Sequence, residues 1–292
     1  MEEGFRISQH SRLVVKYKPA PPPRTGCQIE ISHTVISVKD YYENIIRSFV
    51  GTDISEPEKS VFGKYPHAKV LQVAAKLGNP KLARILDVGA GLGRNTIPLA
   101  RLGYPVDAVE FVDSLFQPLE ATAKKESLLI TTIKGDILDP LMEFSVGSYQ
   151  MAILTELFCH FRTLEDVGLA LLKVCNAILP GGFILFDIFV AADDYCPDPA
   201  IRQIAQVLQS YFITPDELET LLKRLPLEVI SQESMYEYER DHLPAEAWPP
   251  SDWFERWSNG RIVFSTGNSP ISLCWILCRR TDYSYPSATA RP

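Results

Sequence analysis

The sequence predicts an α/β fold in which a mainly parallel β-sheet carries helices on both faces. Two observations indicate this fold. Short apolar runs typical of strands alternate with amphipathic helical segments along the central part of the chain. In addition, three glycines at alternate positions join the first of these runs to a helical segment, as in a strand–turn–helix unit. Alternation of this kind favours parallel strands, because each helix must cross back over a face of the sheet.

Seven runs are predicted as strands of this sheet. The first five are ARILDVG, YPVDAVEF, SLLITTIKG, YQMAILTE and GGFILFDIFV, in chain order. Two later runs, LEVISQESMYEYE and SPISLCWILCRR, are candidates for the sixth and seventh strands. Their apolar and β-branched residues are typical of buried or half-buried strands.

Helical segments are predicted before the glycine turn and between the later strands. Residues 38–46 have helical spacing, and HAKVLQVAAKLG repeats it before a glycine stop at Gly78. Two later helices begin at Thr163 and Thr214, each followed three residues on by an acidic residue that completes a capping box. LPGG, residues 179–182, is expected to end the first of these two helices.

The chain divides by composition into an arm, a cap, a core and a tail. Residues 1–30 are predicted to be an arm or linker that holds a short strand at RLVVKY, because the prolines of PAPPPR forbid helix. A helical cap is expected over 31–80, a core over 81–281 with an aromatic insertion at 239–262, and a tail or linker over 282–292. The composition of that tail leaves open a further domain beyond it.

Charge and hydropathy disfavour several classes of partner. The net charge is −7, which argues against a broad nucleic-acid or anionic-membrane surface. The start, MEEGFRISQH, has acids and no apolar stretch, and no run reaches the roughly eighteen apolar residues of a membrane span. We therefore expect a soluble cytoplasmic protein with no membrane or nucleic-acid partner.

The six cysteines are scattered and favour a reducing compartment. Cys274 and Cys278 could suggest a metal knuckle, but their segment has the pattern of a strand and no second Cys/His pair lies near in sequence. Thiols packed in the core explain them better. No metal site is predicted.

The glycine turn predicts a ligand that is not a dinucleotide. Gly89, Gly91 and Gly93 allow the main chain to approach a ligand closely, but Arg94 stands where the dinucleotide fingerprint needs its last glycine. Asp87, at the end of the first strand, would repel a pyrophosphate and suits a ligand with a positive group. A purely structural turn is the alternative.

Acidic residues close the next two strands as well. Glu110 ends the second strand, where a carboxylate can accept from both hydroxyls of a ribose. Asp136 follows the third strand, placed to accept from an adenine amine beside the apolar Ile137. The three acidic positions therefore match a cation, a ribose and an adenine.

At these residues the sequence resembles the class I S-adenosylmethionine-dependent methyltransferases. The resemblance runs from about residue 60 to 280 through five ordered motifs: LDVGAGLG, VDAVEF, IKGDILD, MAILTE and LPGGFILFDIF. Within that superfamily, the Arg-Asn after the glycines and the LGY before the second strand are similar to the tellurite-resistance and small-molecule branch. The resemblance implies a Rossmann-like, doubly wound, seven-stranded sheet of order 3-2-1-4-5-7-6 with the last strand antiparallel.

The resemblance also implies S-adenosylmethionine as cofactor and S-adenosylhomocysteine as product. The main chain at Gly89, Ala90 and Gly91 would approach the methionine part. Asp87 would lie near its ammonium through water or main chain, and Glu110 would hold the ribose. The remaining expected cofactor residues are Gly93, Asn95, Phe111, Asp136, Ile137, Thr155 and Tyr42. The alternatives are solvated strand ends for Asp87 and Glu110, and plain core for Phe111 and Ile137.

The loop after the fourth strand, TELFCHFRT, holds two candidates for work on the methyl acceptor. His160 has a pKa suited to proton removal and is the candidate catalytic base, the alternative being a histidine packed beside Phe158 and Phe161. Arg162 could bind an acceptor carboxylate or be a surface arginine near a helix start.

An aromatic segment between the last two strands raises a similar choice. In a helix, Trp253 and Trp257 would share a face with Phe254 beside it, and Trp248 lies just upstream. The segment could be a lid over an acceptor, a dimer contact or a small satellite core. Tyr41 and Tyr42, on the early helix, could close over acceptor and cofactor respectively.

These observations favour methyl transfer to an oxygen, nitrogen or carboxylate of a small molecule or peptide, with metabolite tailoring as one setting. The chain lacks the Asn/Asp-Pro-Pro-aromatic motif of nucleic-acid amino-methylating enzymes and has TELF there. Two other classes stay open: a nicotinamide-dinucleotide oxidoreductase and a catalytically silent cofactor-binding scaffold.

Overall fold

The computed structural model describes residues 12–19, 27–34, 43–44 and 63–282. The chain forms two compact units, residues 1–54 with 112–114, and residues 55–111 with 115–292. In the first unit, β1 (Arg12–Pro19) pairs with β2 (Cys27–Thr34) as an antiparallel hairpin. The strand predicted at RLVVKY is confirmed. The second strand was not predicted, and it extends from the expected arm into the expected helical cap.

The helix predicted over 38–46 lies outside the described residues, apart from 43–44, which are helical. The next predicted helix is present. It comprises α1 (Ala68–Ala74) and a 3₁₀ turn (Ala75–Leu77), and it stops at Gly78, where φ is +78°. Glycine suits this position because a positive φ carries no steric cost for it.

The second unit is built on an eight-stranded sheet. Its strands are β3 (Ile85–Val88), β4 (Val106–Glu110), β5 (Ile130–Lys134), β6 (Tyr149–Leu154), β7 (Ile178–Ala191), β8 (Phe212–Ile213), β9 (Leu227–Ser234) and β10 (Ile271–Arg280). They lie in the order β5-β4-β3-β6-β7-β10-β9, with β10 antiparallel to both of its neighbours. This is the predicted order, so the predicted fold is confirmed; the short β8, which pairs with β7, is additional.

The helices between these strands follow the predicted alternation. They are α2 (Thr96–Arg101), α3 (Asp113–Lys125), α4 (Leu164–Ala177), α5 (Pro199–Val207), α6 (Pro215–Leu222), α7 (Met235–His242) and α8 (Asp252–Ser258). Both predicted capping boxes are present, at the starts of α4 and α6. In α4, the main-chain N–H of Asp166 donates to Oγ1 of Thr163 at 3.1 Å, and Oδ2 of Asp166 accepts from the N–H of Thr163 at 3.2 Å.

Two boundaries differ from the sequence prediction. The run LEVISQESMYEYE is only half strand, because the Ser234 hydroxyl accepts from the N–H of Glu237 at 3.3 Å and starts α7. The LPGG segment follows α4 but belongs to β7, where the pairing with β6 shifts register between Tyr149 and Met151. The aromatic insertion therefore begins at Met235 and occupies the crossover between β9 and β10.

Alternate residues of the central strands supply two hydrophobic clusters, one on each face of the sheet. Leu86 and Val88 of β3 belong to the cluster that α4 covers. Ile85 of the same strand belongs to the other cluster, which α1, α2 and α8 cover. Cys274 and Cys278 are buried in the first cluster. Within the described residues, no helix is both long and apolar enough to cross a membrane.

Candidate active site

The glycine turn leaves β3 at the carboxyl edge of the sheet and is tied to β4. The N–H groups of Gly89 and Ala90 both donate to the carbonyl of Val109, at 2.9 and 3.0 Å. Gly91 has a φ of +57°, and a Cβ built there would meet no described atom within 4 Å. The main chain at this point therefore faces open space that a ligand could enter. Gly93 has a φ of +88°, which favours glycine, and a Cβ there would also lie 2.6 Å from Leu119 Cδ1.

Glu110, the last residue of β4, lies beside this turn. Its Oε2 accepts a hydrogen bond of 2.8 Å from the N–H of Gly91, and the residue is buried. The half-buried Phe111 follows it. The hydrogen bond fixes the carboxylate at the edge of the sheet, next to the part of the turn that faces open space.

Asp136 and Ile137 follow β5 at the same edge, since β5 pairs with β4 in parallel and Lys134 lies opposite Glu110. Oδ1 of the half-buried Asp136 accepts from the N–H of Leu138 at 2.9 Å, which shapes the turn after the strand. Ile137 is buried in the core cluster that α4 covers. The predicted ribose and adenine residues thus follow neighbouring strands, as their positions in the sequence indicated.

Asp87 lies beneath the turn and is 1% exposed. Its Oδ2 accepts from the hydroxyl of Thr96 at 2.5 Å, while its Oδ1 has no hydrogen-bond partner among the described residues. Burial raises the pKa of this carboxyl to about 6, against lowering contributions from Thr96 and the charge of Arg94. An orphaned buried oxygen here provides one acceptor for a ligand group or a water.

Asn95 connects the turn to two other elements. Its Nδ2 donates to Thr155 Oγ1 at 3.1 Å, just past β6, and its Oδ1 accepts from the N–H of His67 at 3.0 Å, just before α1. Asn95 and Thr155 are both buried. Two of the predicted cofactor residues are thus in direct contact, and both border the glycine turn.

A buried charged cluster next to the turn was missed by the sequence analysis. Glu156 forms an ion pair with Arg94, and His67 Nε2 lies 3.2 Å from Oε1 of the same carboxylate. Burial favours a raised pKa for Glu156, but the positive charge of Arg94, together with the contacts from Arg94 and His67, outweighs it and lowers the pKa to about 2. Glu156 is therefore ionised and compensated within the protein.

Asp187 of β7 holds Glu156 in place. Glu156 has a φ of +54°, and its N–H donates to Oδ2 of Asp187 at 2.7 Å. Burial and the charge of Glu156 raise the pKa of the fully buried Asp187 well above its usual value. The sequence carried one signal for this pair, a lone acid in the apolar run FILFDIFV.

The loop after β6 is fastened to α5 and the turn that follows it. His160 Nδ1 lies 2.9 Å from Oε1 of Gln209, a contact that orients the ring. Burial lowers the pKa of His160. Arg162 donates to Gln206 Oε1 at 3.0 Å, and Gln206 Nε2 donates to the Arg162 carbonyl at 3.1 Å. The acceptor-side roles of His160 and Arg162 stay predictions.

The aromatic insertion is largely core. Trp257 is 1% exposed, contacts Phe189 edge to face at 5.2 Å, and donates from Nε1 to the carbonyl of Gln209 at 2.9 Å. Trp253 stacks on Trp257 at 5.3 Å, and the two share a helix face as predicted. Of the three roles that the sequence left open, a core role fits Trp257. Its predicted contact with an acceptor stays a prediction.

A cavity lies between the glycine turn and the insertion. It is small, with room for about one water molecule. Its lining consists of Gly63, Tyr65, His67, Arg94, Glu239, Leu243, Ala247, Trp248, Pro250 and Phe254. Two predicted acceptor residues, Trp248 and Phe254, therefore face the same space as Arg94 of the turn. Tyr41 and Tyr42 lie outside the described residues.

Sequence comparisons identify methyltransferases among the relatives of this chain. A family model described as a methyltransferase domain matches residues 61–232. The probable S-adenosyl-L-methionine-dependent methyltransferase TehB of Haemophilus influenzae is 31% identical over 127 residues, which are 43% of this chain and 42% of that protein. The chain thus matches less than half the length of that relative.

Solved structures share the fold at low sequence identity. Phosphoethanolamine N-methyltransferase 2 of Haemonchus contortus, in complex with phosphomonomethylethanolamine and S-adenosylhomocysteine, has a TM-score of 0.64 and 16% identity, covering 87% of this chain and 63% of that one. Geranyl diphosphate C-methyltransferase from Streptomyces coelicolor A3(2) has a TM-score of 0.54 and 14% identity. The match covers 73% of this chain and 80% of that one. The [4+2]-cyclase SpnF has a TM-score of 0.55 and 12% identity, and the match covers 84% of this chain and 95% of that one.

The cyclase shows that this fold alone does not fix the reaction. The family model, by contrast, spans more than half of the chain and includes the glycine turn, Glu110, Asp136 and Glu156. The chain therefore belongs to the methyltransferase-domain family, and its sheet has the class I topology that the sequence predicted.

Proposed function

We propose that this chain is an S-adenosylmethionine-dependent methyltransferase that acts on a small molecule. The observation that carries the proposal is the contact between Gly91 and Glu110, which sets a buried carboxylate beside a main-chain turn that faces open space. Family membership and the resemblance to TehB support the same activity.

The residues at the sheet edge fit this cofactor. Glu110 would accept from the ribose hydroxyls, and Gly89, Ala90 and Gly91 would border the methionine part. The orphaned Oδ1 of Asp87 gives the turn an acceptor toward the ammonium, through water or main chain. Phe111, Asp136 and Ile137 would contact the adenine, and Asn95 and Thr155 the methionine end. When bound, the cofactor supplies an electrophilic methyl group on a sulfonium.

The protein's own task is alignment and exclusion of water, because methyl transfer from a sulfonium is an in-line displacement. Trp248 and Phe254, which line the same small pocket as Arg94, would lie on the acceptor side of the site. His160 would remove a proton from an acceptor that arrives protonated, since burial lowers its pKa and so favours the neutral ring. A carboxylate acceptor would need no such base.

A nicotinamide-dinucleotide oxidoreductase is disfavoured because the glycine turn does not complete the dinucleotide-binding fingerprint. Arg94 replaces the last glycine and is committed to Glu156. A silent scaffold is disfavoured by the acidic residues kept at the strand ends, Asp87, Glu110 and Asp136. Net charge −7 supports an acceptor other than nucleic acid. A cytoplasmic location, a homodimer and a further domain past the tail stay part of the hypothesis.

Calorimetry with the purified chain tests the cofactor. We expect micromolar affinity for S-adenosylhomocysteine and no detectable binding of NAD. The proposal would be refuted if NAD bound and S-adenosylhomocysteine did not. Transfer of a radiolabelled methyl group to a panel of acceptors then separates an enzyme from a silent scaffold.

A further inference from the structure

We propose that Glu156 is a positioning residue for the methionine part of the cofactor, because it holds the loop after β6 in a fixed relation to the glycine turn. This inference rests on the proposed function and adds a residue that acts through its neighbours. Those neighbours are Arg94 of the turn and Thr155 of the loop.

Two consecutive residues of the loop contact two consecutive residues of the turn. Thr155 Oγ1 accepts from Asn95 Nδ2 at 3.1 Å, and the carboxylate of Glu156 forms an ion pair with Arg94. Parallel pairing of β6 with β3 brings both segments to the same edge of the sheet. Two contacts restrain the distance and also the angle between the segments, so the ion pair keeps the turn from pivoting about the Asn95–Thr155 bond.

The main chain of Glu156 is itself held in an uncommon conformation. Its φ is +54°, in the left-handed region, which residues other than glycine keep where surrounding contacts hold them. Two such contacts are present. The N–H of Glu156 donates to Oδ2 of Asp187 at 2.7 Å, and its carbonyl accepts from Sγ of Cys159 at 3.1 Å. Because backbone strain of this kind is concentrated at functional sites, it supports a role for Glu156 beyond packing.

Asp187 supports this conformation from the neighbouring strand, β7. The residue is fully buried, and within the described part of the chain its Oδ1 has no hydrogen-bond partner. A polar group buried in this way is costly unless a hydrogen bond compensates it, and the bond from the Glu156 N–H does so. Burial raises the pKa of Asp187 well above its usual value and so favours the neutral carboxyl. Asparagine is close to that form in shape and charge.

The charge state of Glu156 suits a positioning role and not proton transfer. Its carboxylate is paired with Arg94, and His67 Nε2 lies 3.2 Å from its Oε1. Because these contacts lower the pKa to about 2 despite burial, Glu156 is a poor base near neutral pH. Glu156 therefore contributes through the contacts that it makes.

The methionine part is the portion of the cofactor that these contacts serve. Under the proposed function, the glycine turn borders the methionine part on one side and Thr155 borders it on the other. Glu110 lies on β4 instead and would hold the ribose. A loop that moves relative to the turn should therefore lose contacts with the methionine part and keep those with the nucleoside.

Two probes test this selectivity by calorimetry on the full chain. S-adenosylhomocysteine carries an amino-acid chain on its sulfur, whereas methylthioadenosine has the same adenine, ribose and sulfur but a methyl group in place of that chain. We expect Glu156→Gln to bind S-adenosylhomocysteine roughly tenfold more weakly and to bind methylthioadenosine within about threefold of the wild type. Glu219→Gln, which removes an exposed carboxylate from a surface ion pair, is the matched control and should change neither affinity.

A second pair of variants tests the support from Asp187. Asp187→Asn keeps an oxygen that can accept from the Glu156 N–H, so its affinity for S-adenosylhomocysteine should stay within about threefold of the wild type. Asp187→Leu has a similar volume but no acceptor, and its affinity should fall roughly tenfold. Thermal unfolding of each variant measures stability separately. A merely structural role would change the melting temperature without changing the ratio of the two affinities.

The outcomes separate this inference from the proposed function. The inference would be overturned by an unchanged affinity for S-adenosylhomocysteine in Glu156→Gln, by an equal loss for both probes, or by equal affinities in Asp187→Asn and Asp187→Leu. The Asp187 pair decides by itself if Glu156→Gln does not fold. Failure of the unmodified chain to bind S-adenosylhomocysteine would overturn the proposed function instead.

Discussion

The N–H of Gly91 donates a 2.8 Å hydrogen bond to Oε2 of Glu110, and this contact joins the tight turn after β3 to the end of β4. A charge-assisted bond of this kind orients the carboxylate before any ligand binds. The two residues are separated by a helix and a strand, yet parallel pairing of β3 with β4 brings both to one edge. The proposed ribose contact depends on this geometry.

Glu110→Ala should weaken binding of S-adenosylhomocysteine by roughly 1 to 3 kcal/mol, because charge-assisted hydrogen bonds to the ribose would be lost. Calorimetry on the two proteins gives the difference directly. Glu219→Ala is the matched control, since that exposed carboxylate on α6 pairs only with Lys223, just past the helix, among the ion pairs of the described residues. Unchanged affinity in Glu110→Ala would show that the second motif is misassigned.

Asp87→Asn should stabilise the cofactor-free protein at pH 8. The pKa of Asp87 is raised from 3.8 to about 6, so the folded state binds this proton more tightly than the unfolded chain, and its ionisation above pH 6 costs stability. Removal of the charge should add up to about 3 kcal/mol at pH 8. The advantage should shrink as the pH falls through 6 and vanish near 4.

Thermal unfolding of wild type and Asp87→Asn at pH 8, 6 and 5 measures this effect. The exposed Asp193 provides the control, because Asp193→Asn removes the same charge at the surface. A difference between wild type and Asp87→Asn that stays constant from pH 8 to 5 would contradict the proposed cost of burying this carboxylate.

The strand order and the turn could be predicted because their signals are local. Each strand is a short apolar run, and the spacing of Gly89, Gly91 and Gly93 lies within one loop. Parallel topology then places Glu110 and Asp136 at the same edge as the turn. Each of these segments can be interpreted by itself. Together they predicted the fold class and the residues expected to hold the cofactor.

The Glu156 cluster could not be predicted in this way. Its members, His67, Arg94, Glu156 and Asp187, come from four segments far apart in the chain, and only the folded sheet brings them together. At Ser234, by contrast, a local signal was misleading. Its run alternates like a strand, but a hydroxyl cap turns the second half into a helix.

Trp257→Ala should cost about 3 to 5 kcal/mol of folding free energy, because it empties a site in the main core and removes the bond to Gln209. Trp253→Ala, which changes the half-buried partner of the same stack, should cost clearly less. Urea unfolding of both variants makes the comparison. Equal, small losses would favour a mobile lid over a core role.

His160→Ala should lower methyl-transfer turnover by about 10²-fold or more on a protonated acceptor, while the affinity for S-adenosylhomocysteine stays unchanged. The physical reason is that a buried imidazole with a lowered pKa is neutral near pH 7 and can accept a proton. Because burial lowers the pKa of His160 below its ordinary 6.5, turnover of the wild type should rise with pH through a value under 6.5 and then level. The variant should lose this rise. If it retains both the rate and the pH profile of the wild type, His160 is the packed histidine that the sequence also allowed, and proton removal must come from the acceptor's own ionisation.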